Sequence, residues 1–216
     1  MKNKKVILFD LDGTLTNSAP GIFNSLRYAL RKFSIETIPQ PVLESFIGPS
    51  LKYSFSKHFF IDEKDVFKAI KYYREYYVDK GMFENKLYNG IEDLLFELKK
   101  KDKILNIASS KPSVYVTKIL QYFKILHYFD HAVGAKIDGS HSDKVELINE
   151  NLALYPQLRK KDFVIIGDRN WDIIGAKKAE IDSIGVKYGF AEENELEEAG
   201  ATIVVNSVNE LQDILL

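Results

Sequence analysis

The chain has 216 residues, with 30 Lys and Arg against 31 Asp and Glu, and no Cys; that length suffices for one core domain carrying an insertion, burying roughly 70% of its extended surface. Without Cys, disulfides, thiolate metal sites and thiol catalysis are excluded. A formal net charge of -1 offers no polybasic surface for a nucleic-acid polymer or an anionic bilayer, and the four apolar residues after "MKNKK" are too few for a signal peptide or a membrane span, so a soluble, cytoplasmic protein is expected.

The first predicted element is the run Val6 to Phe9, short, apolar and bounded by Asp and Gly, as for a parallel strand covered on both faces. Residues 16 to 86 then read as helices without a convincing strand. Ile22, Leu26 and Leu30 recur at four-residue spacing, and Val66, Ile70, Tyr73 and Tyr77 at spacings of four, three and four. Beyond them the strand-and-helix rhythm resumes. Ile91, Leu94, Leu95 and Leu98 form a helical stripe before a strand at Ile104 to Ala108, in which Asn106 is the polar exception. Val145, Ile148 and Leu152 form another stripe before a strand at Phe163 to Ile166, and weaker strands are expected at 183 to 186 and 202 to 205. Alternation of this kind predicts an α/β fold, a Rossmann-like, mostly parallel sheet with helices on both faces, plus an inserted all-helical cap domain. The boundaries read as 1–15 and 87–216 for the core and 16–86 for the cap, with the ligand site at the carboxyl ends of the strands.

Four pieces end or follow those strands: Asp10 and Asp12; Ser109, Ser110 and Lys111; Lys144; and Asp168 with Asp172. Clustered aspartates without His or Cys partners make a hard oxygen site of the kind Mg²⁺ accepts, and the ion would relieve repulsion between an attacking carboxylate and an anionic phosphate. A lysine neutralises phosphate oxygens, while Ser109 and the backbone amides near Leu11 and Asp12 can donate hydrogen bonds. Asp10, at the strand end, is the expected nucleophile, and Asp12 the group that protonates the leaving oxygen and then activates water. Taken singly, each of these residues could equally be a turn, a cap or a solvated side chain.

The constellation resembles the haloacid dehalogenase superfamily. Its DxDGT motif, followed by an apolar residue, matches Asp10-Leu11-Asp12-Gly13-Thr14-Leu15, and its GDxxxD motif matches Gly167-Asp168-Arg169-Asn170-Trp171-Asp172. The resemblance implies a phosphate contact or structural support at Thr14, a phosphate-binding hydroxyl at Ser109 with Ser110 beside it, and a phosphate-binding Lys144. It implies a Mg²⁺ site at Asp10 and Asp168, with Asp172 supporting the metal through water or from behind its ligands and the backbone carbonyl of Asp12 completing the protein ligands. "FIGPS" and "DIIGAKKAEIDSIGVKYGF" are similar to the phosphoglycolate phosphatase-like branch, whose members also include nucleoside 5'-monophosphatases. That branch often reads Thr-Asn-Lys where this chain has Ser109-Ser110-Lys111. The likeness places Lys52, in a cap loop at Gly48 to Phe55, against a second anion of the substrate.

The resulting expectation is a Mg²⁺-dependent phosphomonoester hydrolase, phosphoglycolate phosphatase-like first and a 5'-nucleotidase as the alternative, with a phosphosugar mutase or a non-catalytic binding protein behind both. Its partner would be a small phosphorylated metabolite, without nucleic-acid polymer or membrane. The chain could be a monomer or a homodimer.

Overall fold

The computed structural model describes residues 1–60 and 62–216. Two compact units divide the chain, one formed by Met1–Thr16 with Leu87–Leu216 and the other by Asn17–Lys86. In chain order the strands and α-helices are β1 (Val6–Phe9), β2 (Thr16–Asn17), α1 (Ala19–Arg31), α2 (Gln40–Glu44), α3 (Leu51–His58), α4 (Glu63–Asp79), β3 (Lys86–Leu87), α5 (Ile91–Lys100), β4 (Ile104–Pro112), α6 (Ser113–Tyr122), β5 (His131–Ala135), α7 (Lys144–Ala153), β6 (Phe163–Gly167), α8 (Asn170–Ala179), β7 (Asp182–Val186), α9 (Glu195–Glu198), β8 (Ile203–Val205) and α10 (Val208–Leu215). The chain leaves and re-enters the larger unit through β2 and β3, which pair as a two-stranded ribbon.

The larger unit is built on a six-stranded sheet of order β5-β4-β1-β6-β7-β8, every neighbouring pair parallel. All four residues of β1 are fully buried, because the strand lies between β4 and β6 with helices over the sheet. Val6 and Leu8 join Phe163 and Ile165 in a cluster with Leu147 and Ile148 of α7 and Ala176 and Ala179 of α8. Ile7 and Phe9 alternate to the opposite face, where the Phe9 ring meets Phe129 edge-on at 6.2 Å. The connections from β1 run first toward β4 and β5 and later return to β6. This makes β1 the point where strand order reverses, and the crevice beyond its carboxyl end is the natural ligand position in such a sheet.

Two features of the sheet depart from the sequence-based expectation. Strand β5, "HAVGA", opens with a histidine and lacks an apolar run, because it is an edge strand half open to solvent. Strand β4 continues past Ala108 to Pro112, with an irregularity in its pairing: Ser109 opposes Gly134, yet Pro112 opposes the next residue, Ala135. Ser110 and Lys111 are thereby looped out of the ladder, as in a β-bulge, which redirects their side chains. Gly134 allows it, since a Cβ there would fall 2.6 Å from the Lys111 carbonyl oxygen and 2.9 Å from Ser113 backbone atoms.

Asn106 is satisfied in the core: its Nδ2 donates to Asn151 Oδ1 at 2.8 Å, and its Oδ1 accepts from the Tyr155 hydroxyl at 3.2 Å. Asn151 Nδ2 in turn donates to the carbonyls of Leu147 and Ile107. Both asparagines are fully buried, so the network ties β4 to α7.

In the smaller unit the α1 residues Ile22, Leu26 and Leu30 are buried, as are Val66, Tyr73 and Tyr77 of α4. Ser50 caps α3 by accepting from the Tyr53 N–H, and Asp62 caps α4 by accepting from the Lys64 N–H. Tyr73 and Tyr77 stack with centroids 5.4 Å apart. Tyr72 meets Phe33 edge-on, and Tyr76 packs on Tyr28 and donates its hydroxyl to Glu84. Among the described residues no helix is long and apolar enough to cross a membrane.

Replacing Asn151 by Leu strips Asn106 Nδ2 of its acceptor inside the core, at an expected cost of about 2 kcal/mol. The double variant Asn106→Leu/Asn151→Leu should recover part of that loss in urea unfolding. Stability of Asn151→Leu within about 0.5 kcal/mol of the parent would show that the network does not hold α7 to the sheet.

Candidate active site

Asp10 follows β1 directly, and its N–H still reaches the Ile166 carbonyl of β6 at 2.9 Å. The chain then turns tightly: Leu15 and Thr16 both donate to the Leu11 carbonyl at 3.0 Å, and Gly13 donates to Thr16. Gly13 has φ +89, and a Cβ on it would lie 2.0 Å from Asp168 Oδ2. Glycine is therefore required twice over, for the left-handed backbone and for the close approach of Asp168.

Asp168 leaves the end of β6 fully buried. Its Oδ1 accepts from the Thr14 hydroxyl at 3.2 Å and its Oδ2 from the Phe190 N–H at 2.9 Å. Asp172 lies in the first turn of α8, with Oδ2 accepting from the Arg169 N–H at 3.2 Å. Carboxylate oxygens of Asp10, Asp168 and Asp172 all lie within 4.8 Å of one another, and all three residues are buried.

The cation among them is Lys144, carried on the first residue of α7 behind the N-cap Asp143. Its Nζ donates to Asp10 Oδ1 and to the Ala108 carbonyl, each at 2.8 Å. It also forms an ion pair with Asp172 Oδ1 at 2.7 Å, without the alignment of a hydrogen bond, so among the described residues that buried oxygen accepts none. One ammonium does not offset three carboxylates in so small a volume. Burial, with Asp172 and Asp12 adding repulsion against the pull of Lys144, pushes the Asp10 carboxyl up from 3.8 to about 6. Burial and the charges of Asp10 and Asp172 likewise hold Asp168 well above the ordinary range. Burial alone would lower the pKa of Lys144, but Asp10 and Asp172 outweigh it and raise it.

Asp12 faces a second cation: its Oδ2 lies 2.8 Å from Lys111 Nζ, both side chains nearly buried, while its Oδ1 is buried without a hydrogen-bond partner among the described residues. Ser109 is buried at the end of the regular ladder, and its hydroxyl accepts from the Lys111 N–H at 3.4 Å. Ser110 donates its hydroxyl to the Ser142 carbonyl at 2.9 Å. Lys52 belongs to the helical unit, where its exposed ammonium pairs with Glu63 at 2.6 Å.

Some participants carried no usable signal in the sequence. Glu195 accepts from Arg169 Nε and from the Asn170 N–H, at 2.9 and 2.7 Å, and so fixes the start of α8. It stands in an acidic stretch that reads as solvated surface. Tyr188, in the loop after β7, donates its hydroxyl to the Thr14 carbonyl at 3.0 Å and supports the first turn from behind.

An all-oxygen set of buried aspartates, in which Asp172 Oδ1 has no hydrogen-bond donor among the described residues, suits a hard divalent cation and offers nothing to a soft one. It is of the type that coordinates Mg²⁺ in this fold.

The family model described as haloacid dehalogenase-like hydrolase matches residues 7–186. A 5'-nucleotidase of Pseudomonas aeruginosa is 38% identical over 88% of this chain and 86% of its own. The tyrosine-protein kinase PtkA of Mycobacterium tuberculosis is 31% identical over 99% of this chain and 73% of its own, and a phosphoglycolate phosphatase of Colwellia psychrerythraea 26% over 98% and 96%. The crystal structure of a predicted phosphatase from Clostridium acetobutylicum superposes with a TM-score of 0.92 at 46% identity, covering 98% of this chain and 97% of that one. With its parallel sheet, inserted helical unit and buried aspartate cluster, the chain belongs to the haloacid dehalogenase-like hydrolases and is a phosphatase-type enzyme of that family.

Proposed function

We propose that the protein is a Mg²⁺-dependent 5'-nucleotidase, hydrolysing nucleoside 5'-monophosphates through an aspartyl-phosphate on Asp10. The observation that carries the substrate class is the 38% identity to a 5'-nucleotidase over most of both chains, against 26% to a phosphoglycolate phosphatase. The phosphoglycolate reading expected first from the sequence is therefore placed second. Its local support also weakens, because Lys52, the cation meant for a second substrate anion, is engaged by Glu63.

Asp10, Asp168 and Asp172 would hold the ion, which when bound supplies positive charge against the phosphate and its attacker. Asp10 attacks phosphorus through a carboxylate oxygen, and Lys144, 2.8 Å from Asp10 Oδ1, receives negative phosphate oxygens. Asp12 gives a proton to the leaving ribose oxygen, then takes one from the water that attacks the aspartyl-phosphate. Thr14 and Tyr188 keep the turn and Asp168 in register.

Comparing kcat/KM on a panel of 5'-monophosphates with that on 2-phosphoglycolate tests the substrate class. A nucleotide should lead by about tenfold or more, and a lead for phosphoglycolate would reverse the ordering. Asp10→Asn should lower kcat by about 10⁴-fold or more with the fold intact, and a rate near the parent's would remove Asp10 as nucleophile.

The raised pKa of Asp10 fixes a pH dependence. A carboxyl that binds its proton more tightly folded than unfolded costs the metal-free protein stability as pH rises from about 4 to about 6, and Asp168 acts in the same direction. Mg²⁺ competes with those protons. Adding the ion should therefore raise Tm more at pH 7.5 than at pH 5, by about 3 kcal/mol of stabilisation at a hundredfold excess over Kd at the higher pH; equal shifts at the two pH values would contradict the assignment of these carboxylates as ligands.

A further inference from the structure

We infer that Lys111 is a positioning residue for Asp12, committing one carboxylate oxygen so that the other serves the proton transfers, above all in breakdown of the aspartyl-phosphate. The inference rests on the phosphatase reading above and assigns a residue to which that reading gives no role.

Three independent observations converge on it. The pairing between β4 and β5 slips after Ser109, so that Ser110 and Lys111 leave the ladder, and Gly134 opposite has no room for a side chain because the displaced Lys111 carbonyl and the start of α6 occupy it. A bulge beside an active site commonly re-aims a side chain. Lys111 Nζ then stands 2.8 Å from Asp12 Oδ2, with only 8% of its side chain exposed. Asp12 Oδ1 is left buried with no hydrogen-bond partner among the described residues. A buried acceptor of this kind is costly unless something fills it, and water or the leaving oxygen is the group that the chemistry brings.

The two lysines thus divide the two carboxylates of the first turn: Lys144 binds Asp10, and Lys111 binds Asp12. In the second half-reaction a water oxygen bonds to phosphorus while the bond from Asp10 to phosphorus breaks. The water proton passes to Asp12 Oδ1, and Asp10 recovers its carboxylate as phosphate departs. Without Lys111, Asp12 can rotate and offer either oxygen at the wrong angle. The proton transfer slows although substrate binding does not.

Rapid-quench kinetics with p-nitrophenyl phosphate and Mg²⁺ test this, because a phenolate of low basicity leaves without needing an acid and the breakdown step is read alone. Lys111→Met should lower kcat on the order of 10- to 100-fold, lower KM with it so that kcat/KM stays within about threefold, and give a nitrophenolate burst approaching one per site with phosphoenzyme accumulating. Lys111→Arg, which keeps the charge, should restore most of kcat and suppress the burst. The inference is overturned by an unchanged kcat, by a comparable loss in kcat/KM, or by a fall in kcat without accumulated phosphoenzyme. Should Lys111→Met not fold, equal and burst-free loss in a folded Lys111→Arg or Lys111→Gln would also overturn it. Phosphoenzyme formed by the parent and cleared at the parent's rate by Lys111→Met would sink this inference alone, whereas a parent that never phosphorylates Asp10 would sink it together with the aspartyl-phosphate reading.

Discussion

Packing Asp10, Asp168 and Asp172 into one buried cluster with a single ammonium is the constraint on which the rest of the structure depends. Such a surplus of buried negative charge is unfavourable, and its effect is visible in the raised pKa values of Asp10 and Asp168. The fold tolerates it because each carboxylate is held by a different element. Asp10 is tied to β6 through its amide, Asp168 by Thr14 and the Phe190 N–H, and Asp172 by the first turn of α8. A divalent cation relieves the repulsion, so the stress that weakens the metal-free protein is the same one that drives its binding.

Parallel topology is what makes such a cluster possible. β1 is flanked by β4 and β6, so three segments far apart in sequence end side by side, and α7 begins where its first residue can point into the same place. Lys144 consequently reaches Asp10 from 134 residues away. The backbone adds its own constraint, since the turn after β1 approaches Asp168 so closely that only glycine fits at position 13.

Much of this was legible in the sequence, for identifiable reasons. Apolar runs ending in Asp mark β1 and β6, the four-residue interval from Asp168 to Asp172 carries the chain from the end of β6 into the first turn of α8, and the stripe of Ile22, Leu26 and Leu30 identifies the first inserted helix. What escaped depends on pairing rather than pattern. β5 has too few apolar residues to be seen, being an edge strand, and without β5 there is no register from which the displacement of Ser110 and Lys111 could be inferred. Glu195 and Tyr188 act across loops that no periodicity connects to the site. Lys52 likewise reads as available in the sequence and meets Glu63 only once α3 and α4 are folded.

The central proposal is covalent catalysis by Asp10. The most direct measurement is the stereochemical outcome at phosphorus with a substrate chiral through oxygen isotopes and sulfur. Two successive in-line displacements, first by Asp10 and then by water, predict net retention. Net inversion would mean that water attacks the substrate directly, and would contradict the account.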